Sequence, residues 1–214
     1  VDVVLDNLDV FIAGLRTTVG LTLLSYAVAL GVGIVIAACR VSPIPPLRWA
    51  GVFYVETVRN TPLTVLFVLF FFGLPKVDIL FEPFPTAVIV LGGYTGAFVA
   101  ETVRSGINTV SRGQAEAARS LGLTFPQVLR IVVLPQALRS VVGPLGGLFI
   151  ALTKNSSIAA IISVSELVFR TDNLANETAR AVPVYLGAAV AYLLVTIPSG
   201  VAFRALERRV AFRR

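Results

Sequence analysis

The sequence contains no histidine and a single cysteine, and only 14% of its 214 residues are charged. Without histidine, acid–base chemistry near neutral pH has no obvious side chain to carry it. The lone Cys39 excludes an internal disulfide, and nothing around it suggests metal ligation. No glycine-rich stretch is followed by the lysine and serine or threonine of a phosphate loop, so ATP must be handled elsewhere. Ser156 and Ser157 have no neighbouring base, which excludes reading them as nucleophiles. The scarcity of charge, set against 56% hydrophobic residues and a mean hydropathy of +0.86, excludes an ordinary soluble domain.

Long apolar runs are what the chain has instead. Val19 to Cys39 extends for 21 residues without a charge, enough to cross the hydrocarbon core of a bilayer. The residues ahead of it, Val1 to Val10, carry Asp2, Asp6 and Asp9 rather than a basic leader, so this first span is expected to be retained. Five spans are expected, over residues 11–39, 49–73, 84–102, 131–152 and 182–203. The expected fold is an all-α membrane protein with five transmembrane helices, one transmembrane domain over residues 1–214. Residues 103–134 form a cytoplasmic region between its third and fourth spans. The second, third and fourth spans hold charges, prolines or glycine clusters that a lipid-facing helix tolerates poorly, so these three are expected to pack against protein.

Charge placement sets an expected orientation. Arg40, Arg48, Arg104, Arg112, Arg119 and Arg130 fall on one side with the tail Arg204, Arg208, Arg209, Arg213 and Arg214. Lys76, Arg170 and Arg180 fall on the other, beside Asp78, Glu82, Glu166, Asp172 and Glu177. The positive-inside rule then puts the amino-terminus outside and the carboxyl-terminus in the cytoplasm of a plasma-membrane protein. The net charge of +6 reads as attraction to anionic headgroups on one face and needs no nucleic acid.

Within the spans, local chemistry suggests packing and bending. Ser42-Pro43-Ile44-Pro45-Pro46 is a rigid turn. Glu56 and Arg59 stand three apart and either pair or reach the headgroups, and Glu101 and Arg104 repeat that spacing. Pro62 should bend or open the second span, freeing carbonyls for a lined cavity or a packed neighbour to satisfy. Gly92 and Gly96, four apart, allow close helix approach, and Gly143, Gly146 and Gly147 are expected to do the same around Pro144.

The connection from Thr102 to Leu134 carries the most functional information. Ser111-Arg112-Gly113-Gln114 fits a capping box and predicts a short helix starting after Ser111, which Gly122 ends in a left-handed conformation. Glu116 lies near the positive end of that helix, Ala117 and Ala118 keep it narrow enough for a partner's groove, and Leu121 and Leu123 supply an apolar anchor. A helix resting on lipid is the alternative, with a wider apolar face expected of it. Thr124-Phe125-Pro126-Gln127 predicts a second cap and helix, and Pro135 a bend through which force passes into the fourth span.

Glu116-Ala117-Ala118, Gly122 and Leu134-Pro135, with Val132 in place of isoleucine, together resemble the cytoplasmic signature of transmembrane subunits of binding-protein-dependent ABC importers. The resemblance is to the polar amino acid uptake branch, through Arg59-Asn60-Thr61-Pro62-Leu63, Glu101, Arg104-Ser105-Gly106-Ile107 and Gln136-Ala137-Leu138-Arg139. Asn60 stands where that branch has glycine. Val58 to Thr64 and Ala151-Leu152-Thr153-Lys154-Asn155 look most like actinobacterial glutamate-uptake permeases. The resemblance implies an ABC type I importer fold with two permease subunits, identical or homologous, and a short coupling helix on each. It implies an ATPase dimer below, binding ATP and Mg, and an extracytoplasmic amino-acid-binding protein outside, with no cofactor in this chain. Glu116, Ala117, Ala118, Gly122 and Leu123 would then be the ATPase-coupling residues.

For the substrate, Lys154, Asn155, Ser156 and Ser157 offer a positive charge and hydrogen-bonding groups at the end of the fourth span, with Arg59 and Arg139 as further cations. By the resemblance, many amino acid permeases have aspartate where Asn155 stands, and its loss lowers repulsion toward glutamate or another acidic amino acid. Alternatively, Lys154 snorkels to the headgroups while Asn155, Ser156 and Ser157 cap the next helix. The competing functions are a subunit of an ion-coupled secondary carrier, which would bury acids or histidines as ion sites, and a noncatalytic membrane scaffold.

Overall fold

The computed structural model describes residues 2–124 and 127–210, all of them in helices or the connections between them. After a helical turn at Asp2–Leu5, helix α1 spans Leu8–Val41, α2 Pro45–Asn60 and α3 Leu63–Val68, the last continuing through wider and tighter turns to Val77. Helix α4 spans Pro83–Asn108, α5 Arg112–Ser120, α6 Leu134–Asn155, α7 Leu167–Thr178 and α8 Ala181–Val210. Among the described residues, α1, α4, α8 and the run Val128–Ile162 containing α6 are each long and apolar enough to cross a membrane. The fifth crossing is available only from α2 and α3 together, and these are bent by 104° at the break between them.

That break is the bend or opening expected at Pro62, sharp enough to divide the second span into two helices. Pro62 removes a donor and forces extended backbone on Thr61, which has φ −94° and ψ 131°, so α2 stops and a new helix starts. The freed carbonyls of the last turn of α2 find local partners. Asn60 Nδ2 donates to Glu56 O at 2.7 Å and Thr61 Oγ1 to Thr57 O at 2.8 Å. Asparagine and threonine on the rim of the break thus satisfy the polar groups that a proline leaves open.

Helix α4 is the hub. It packs along α1, and also against α6 and α2. The expected small-residue contact is present: a Cβ on Gly92 would meet Val28 of α1 at 2.6 Å, and one on Gly96 would meet Val32 at 3.1 Å. Where lipid removes the hydrophobic drive between helices, such close backbone approach is what gains dispersion energy. On α6, Gly146 faces the Phe203 ring and Gly143 faces Glu207 of α8, whereas Gly147 meets no other helix of this chain. Leu21, Leu63, Phe67, Leu91, Leu152 and Ile162 form one buried cluster, and Phe11, Leu167, Leu174 and Val184 another. The only tryptophan, Trp49, projects from α2 and is exposed.

Three expectations change. The fourth span runs from Val128 to Ile162, longer than 131–152 at both ends, and does not begin as a plain α-helix ahead of Pro135. Instead the ladder widens to a π turn over Val128–Val133, which absorbs the missing donor before the α-helix resumes. Arg59 turns away from Glu56 toward Glu101, and Glu56 contacts Asn60 instead. Glu166, expected among the outer charges, is fully buried.

Candidate functional site

Lys154 to Ser157 sits where α6 tightens into a 3-10 segment, Ser156–Ile162. Lys154 is exposed and Asn155 half-buried, while Ser156 is buried. The serines do not cap the following helix; Ser156 Oγ donates to Thr153 O and Ser157 Oγ to Lys154 O, both at 2.8 Å. Ser156 is therefore turned inward, toward the backbone and the Tyr192 hydroxyl, and the polar surface at this point belongs to Lys154, Asn155 and the half-buried Ser157. Leu63 and Phe67, just past the break, share an apolar cluster with Leu152, Ala159 and Ile162 on either side of the segment. The break in the second span and the lysine-bearing turn are thus held together.

Arg139 does not join them. It stands 15 residues before Lys154 in one helix, about 22 Å along the axis, so the two cations cannot grip one amino acid. Arg59 has a different setting. Its guanidinium lies 5.1 Å from the Phe98 ring centroid and 4.0 Å from a carboxylate oxygen of Glu101. The same carboxylate takes Arg40 of α1 on one oxygen and Arg104 on the other. Glu101–Arg104 is the pair expected from spacing, whereas Arg40–Glu101, 61 residues apart in sequence, was invisible to it. Three guanidiniums share one carboxylate, which leaves Arg59, the most loosely held, with charge to offer. A cavity of about 260 Å³ opens beside Glu101, lined by Thr102, Ser105, Thr109, Ser140 and Pro144.

The loop helix forms where expected, Arg112–Ser120, but the Ser111 side chain makes no cap hydrogen bond. At its other end, Gly122 has φ +83°, its N–H donates to Arg119 O at 2.9 Å, and Leu123 N–H donates to Ala118 O at 3.2 Å. These two bonds are a Schellman motif, which needs a residue without a Cβ at the left-handed position. Glu116 and Ala117 are exposed, but Ala118 is buried within the chain at 6% exposure and cannot line a partner's groove. Leu121, at 84%, is the side chain that projects, while Leu123 is half-buried. At the second cap, Thr124 N–H donates to Gln127 Oε1 at 2.8 Å; Phe125 and Pro126 lie outside the described residues.

The sequence also hid a polar cluster that adjoins the lysine-bearing turn, since the Tyr192 hydroxyl that bonds Glu166 also contacts Ser156. Glu166 caps α7, accepting from the N–H groups of Val168 at 3.0 Å and Phe169 at 2.7 Å and from the Tyr192 hydroxyl at 3.1 Å. Thr18 of α1 accepts from Leu167 N–H at 3.1 Å and approaches the same carboxylate. Burial pushes the Glu166 carboxyl above its ordinary range, and the two backbone N–H groups oppose that shift. Its position as the acid just ahead of α7 was the one available signal.

Comparison with known proteins places this geometry. Residues 10–212 match the family described as binding-protein-dependent transport system inner membrane component. The chain is 37% identical over 210 residues to the probable glutamine ABC transporter permease protein GlnM of Bacillus subtilis, covering 98% of this chain and 97% of that one. It is 39% identical over 210 residues to the glutamate transport system permease protein GluC of Corynebacterium efficiens, covering 92% of each. A solved structure described as an amino acid ABC transporter with histidines superposes with a TM-score of 0.91 at 34% identity, covering 96% of each chain.

Proposed function

The chain belongs to the family of binding-protein-dependent transport system inner membrane components, and from that premise we propose that it carries acidic amino acids, glutamate first, into the cell. It is the membrane-spanning permease subunit of an amino-acid ABC transporter, working with ATPase partners and a second permease, and it has no ATPase site of its own. An extracytoplasmic binding protein delivers the substrate to the side that holds the amino-terminus. The arginines of the opposite connections and of the carboxyl-terminal tail support that orientation.

The observation that carries the substrate reading is the packing of the broken second span against the lysine-bearing turn of the fourth. Irregular backbone at membrane depth is tolerated where it lines a path or is covered by protein, and here it lies beside Lys154 and Asn155. Lys154 supplies charge for a carboxylate, and Asn155 hydrogen bonds without repelling it. Arg59, only partly neutralised by Glu101, receives the carboxylate deeper along the path.

Work arrives through α5. Its exposed face, with Glu116, Ala117 and the projecting Leu121, seats in an ATPase subunit, and the rigid turn at Gly122 passes that motion to the π turn ahead of α6. Closure of the ATPase pair then tilts α6 and exchanges inward for outward opening. Uptake by vesicles containing the whole transporter tests the substrate reading. Lys154→Glu is expected to lower glutamate uptake about tenfold, a loss near 1.4 kcal/mol, without preventing assembly. Equal glutamate uptake, or a preference for glutamine in the unmodified protein, would remove glutamate from the reading.

A further inference from the structure

Helix α1 enters the membrane with an ordered change of chemistry along one stripe. Asp9, Ile12, Arg16, Val19 and Leu23 follow one another at spacings of three and four, so they share a face. Asp9 and Arg16 are both exposed, and neither makes an ion pair among the described residues. Beyond Arg16 the helix carries no charge from Val19 to Cys39, which places Arg16 at the boundary of the hydrocarbon and Asp9 on its water side.

The surface around Arg16 is shallowly recessed. A groove of about 420 Å³ runs along Ile12, Leu15, Arg16, Val19, Gly20 and Leu23, and Gly20 faces open space within it. A second groove, of about 280 Å³, shares Ile12 and Leu15 and crosses to Gly187, Val190 and Leu194 of α8. The two apolar channels therefore meet at Ile12 and Leu15, and the first of them reaches the guanidinium. Read from water inward, the stripe presents a carboxylate, then a cation, then two apolar grooves.

We propose that this face holds a phospholipid with an amine headgroup, its ammonium toward Asp9, its phosphate on Arg16 and its acyl chains in the two grooves. The order of groups in such a lipid repeats the order of side chains on the helix. Asp9 and Arg16 are about 10.5 Å apart along the axis, and an arginine leaning toward water shortens the gap between their charged ends. A purely anionic headgroup would meet the carboxylates of Asp6 and Asp9, so the amine is the part that fits. Its role is to hold α1 against α8 at the membrane boundary.

Native mass spectrometry of the assembled transporter, equilibrated with dioleoyl phosphatidylethanolamine or dioleoyl phosphatidylglycerol, tests this. The unmodified protein is expected to retain the ethanolamine lipid over the glycerol lipid by about fivefold, equivalent to one charge contact near the surface. Arg16→Gln is expected to lose the retained lipid while Arg16→Lys keeps it, and Asp9→Asn is expected to abolish the preference between headgroups without abolishing binding. Equal retention in the unmodified protein and Arg16→Gln would overturn the proposal. High-yield disulfide capture of a second permease subunit through Ile12→Cys, in a Cys39→Ser background, would also overturn it, because protein would then cover the groove.

Discussion

At the scale of single residues, Gly122 shows how one backbone angle sets the shape of a protruding surface. Its φ of +83° closes the loop helix with two backbone bonds and throws Leu121 outward. Any L side chain there meets its own backbone at a cost of about 1–2 kcal/mol, least for asparagine. Gly122→Val is therefore expected to lower transport and ATPase affinity together, while Gly122→Asn keeps most of both. Stimulation of ATPase activity by the purified transporter is the measurement, and an unchanged value for Gly122→Val would remove this turn from the coupling route. The glycine was legible from sequence because helix-forming residues ran up to it. The burial of Ala118 was not, since alanine spacing alone does not tell which side of a short helix meets its own chain.

At the scale of elements, the carboxylate of Glu101 ties α1, α2 and α4 through Arg40, Arg59 and Arg104. The Arg40 side chain is only 10% exposed, so removing the carboxylate strands a charge that water cannot reach well. Glu101→Gln is expected to destabilise the permease by about 1–3 kcal/mol, discounted for the partial exposure of Glu101 itself, and to lower the melting temperature in detergent. An unchanged melting temperature would mean the three helices are held by packing alone. Charge-free length made the spans legible, and glycine spacing a close helix contact at Gly92 and Gly96, though not that α1 makes it. The sharpness of the break at Pro62 was not legible, because a proline permits anything from a kink to a fresh helix, and the choice depended on Asn60 and Thr61 completing the last turn. The π turn before Pro135 escaped for a similar reason: hydrophobic periodicity does not distinguish widening from bending.

At the scale of the whole molecule, stability against pH should carry the mark of Glu166. Burial raises this carboxyl above its ordinary value of 4.5, so the folded chain holds the proton more tightly than the unfolded one. That contribution is fully present below 4.5 and is lost as pH rises through the elevated folded-state value, where the buried group must charge. Glu166→Gln removes the titration, and its stability relative to the unmodified chain is expected to improve across that window. Parallel melting curves for the two proteins would count against the assignment. Membrane class and family were legible from composition and from the loop signature. The partnership of Thr18, Glu166 and Tyr192 was not, because it joins three distant segments by geometry alone. The solitary indole of Trp49, standing clear of α2, is the one fluorophore of this chain that can be excited apart from its five tyrosines. Its emission wavelength and quenching therefore report on the surroundings of a single helix, a spectroscopic window on assembly that needs no label.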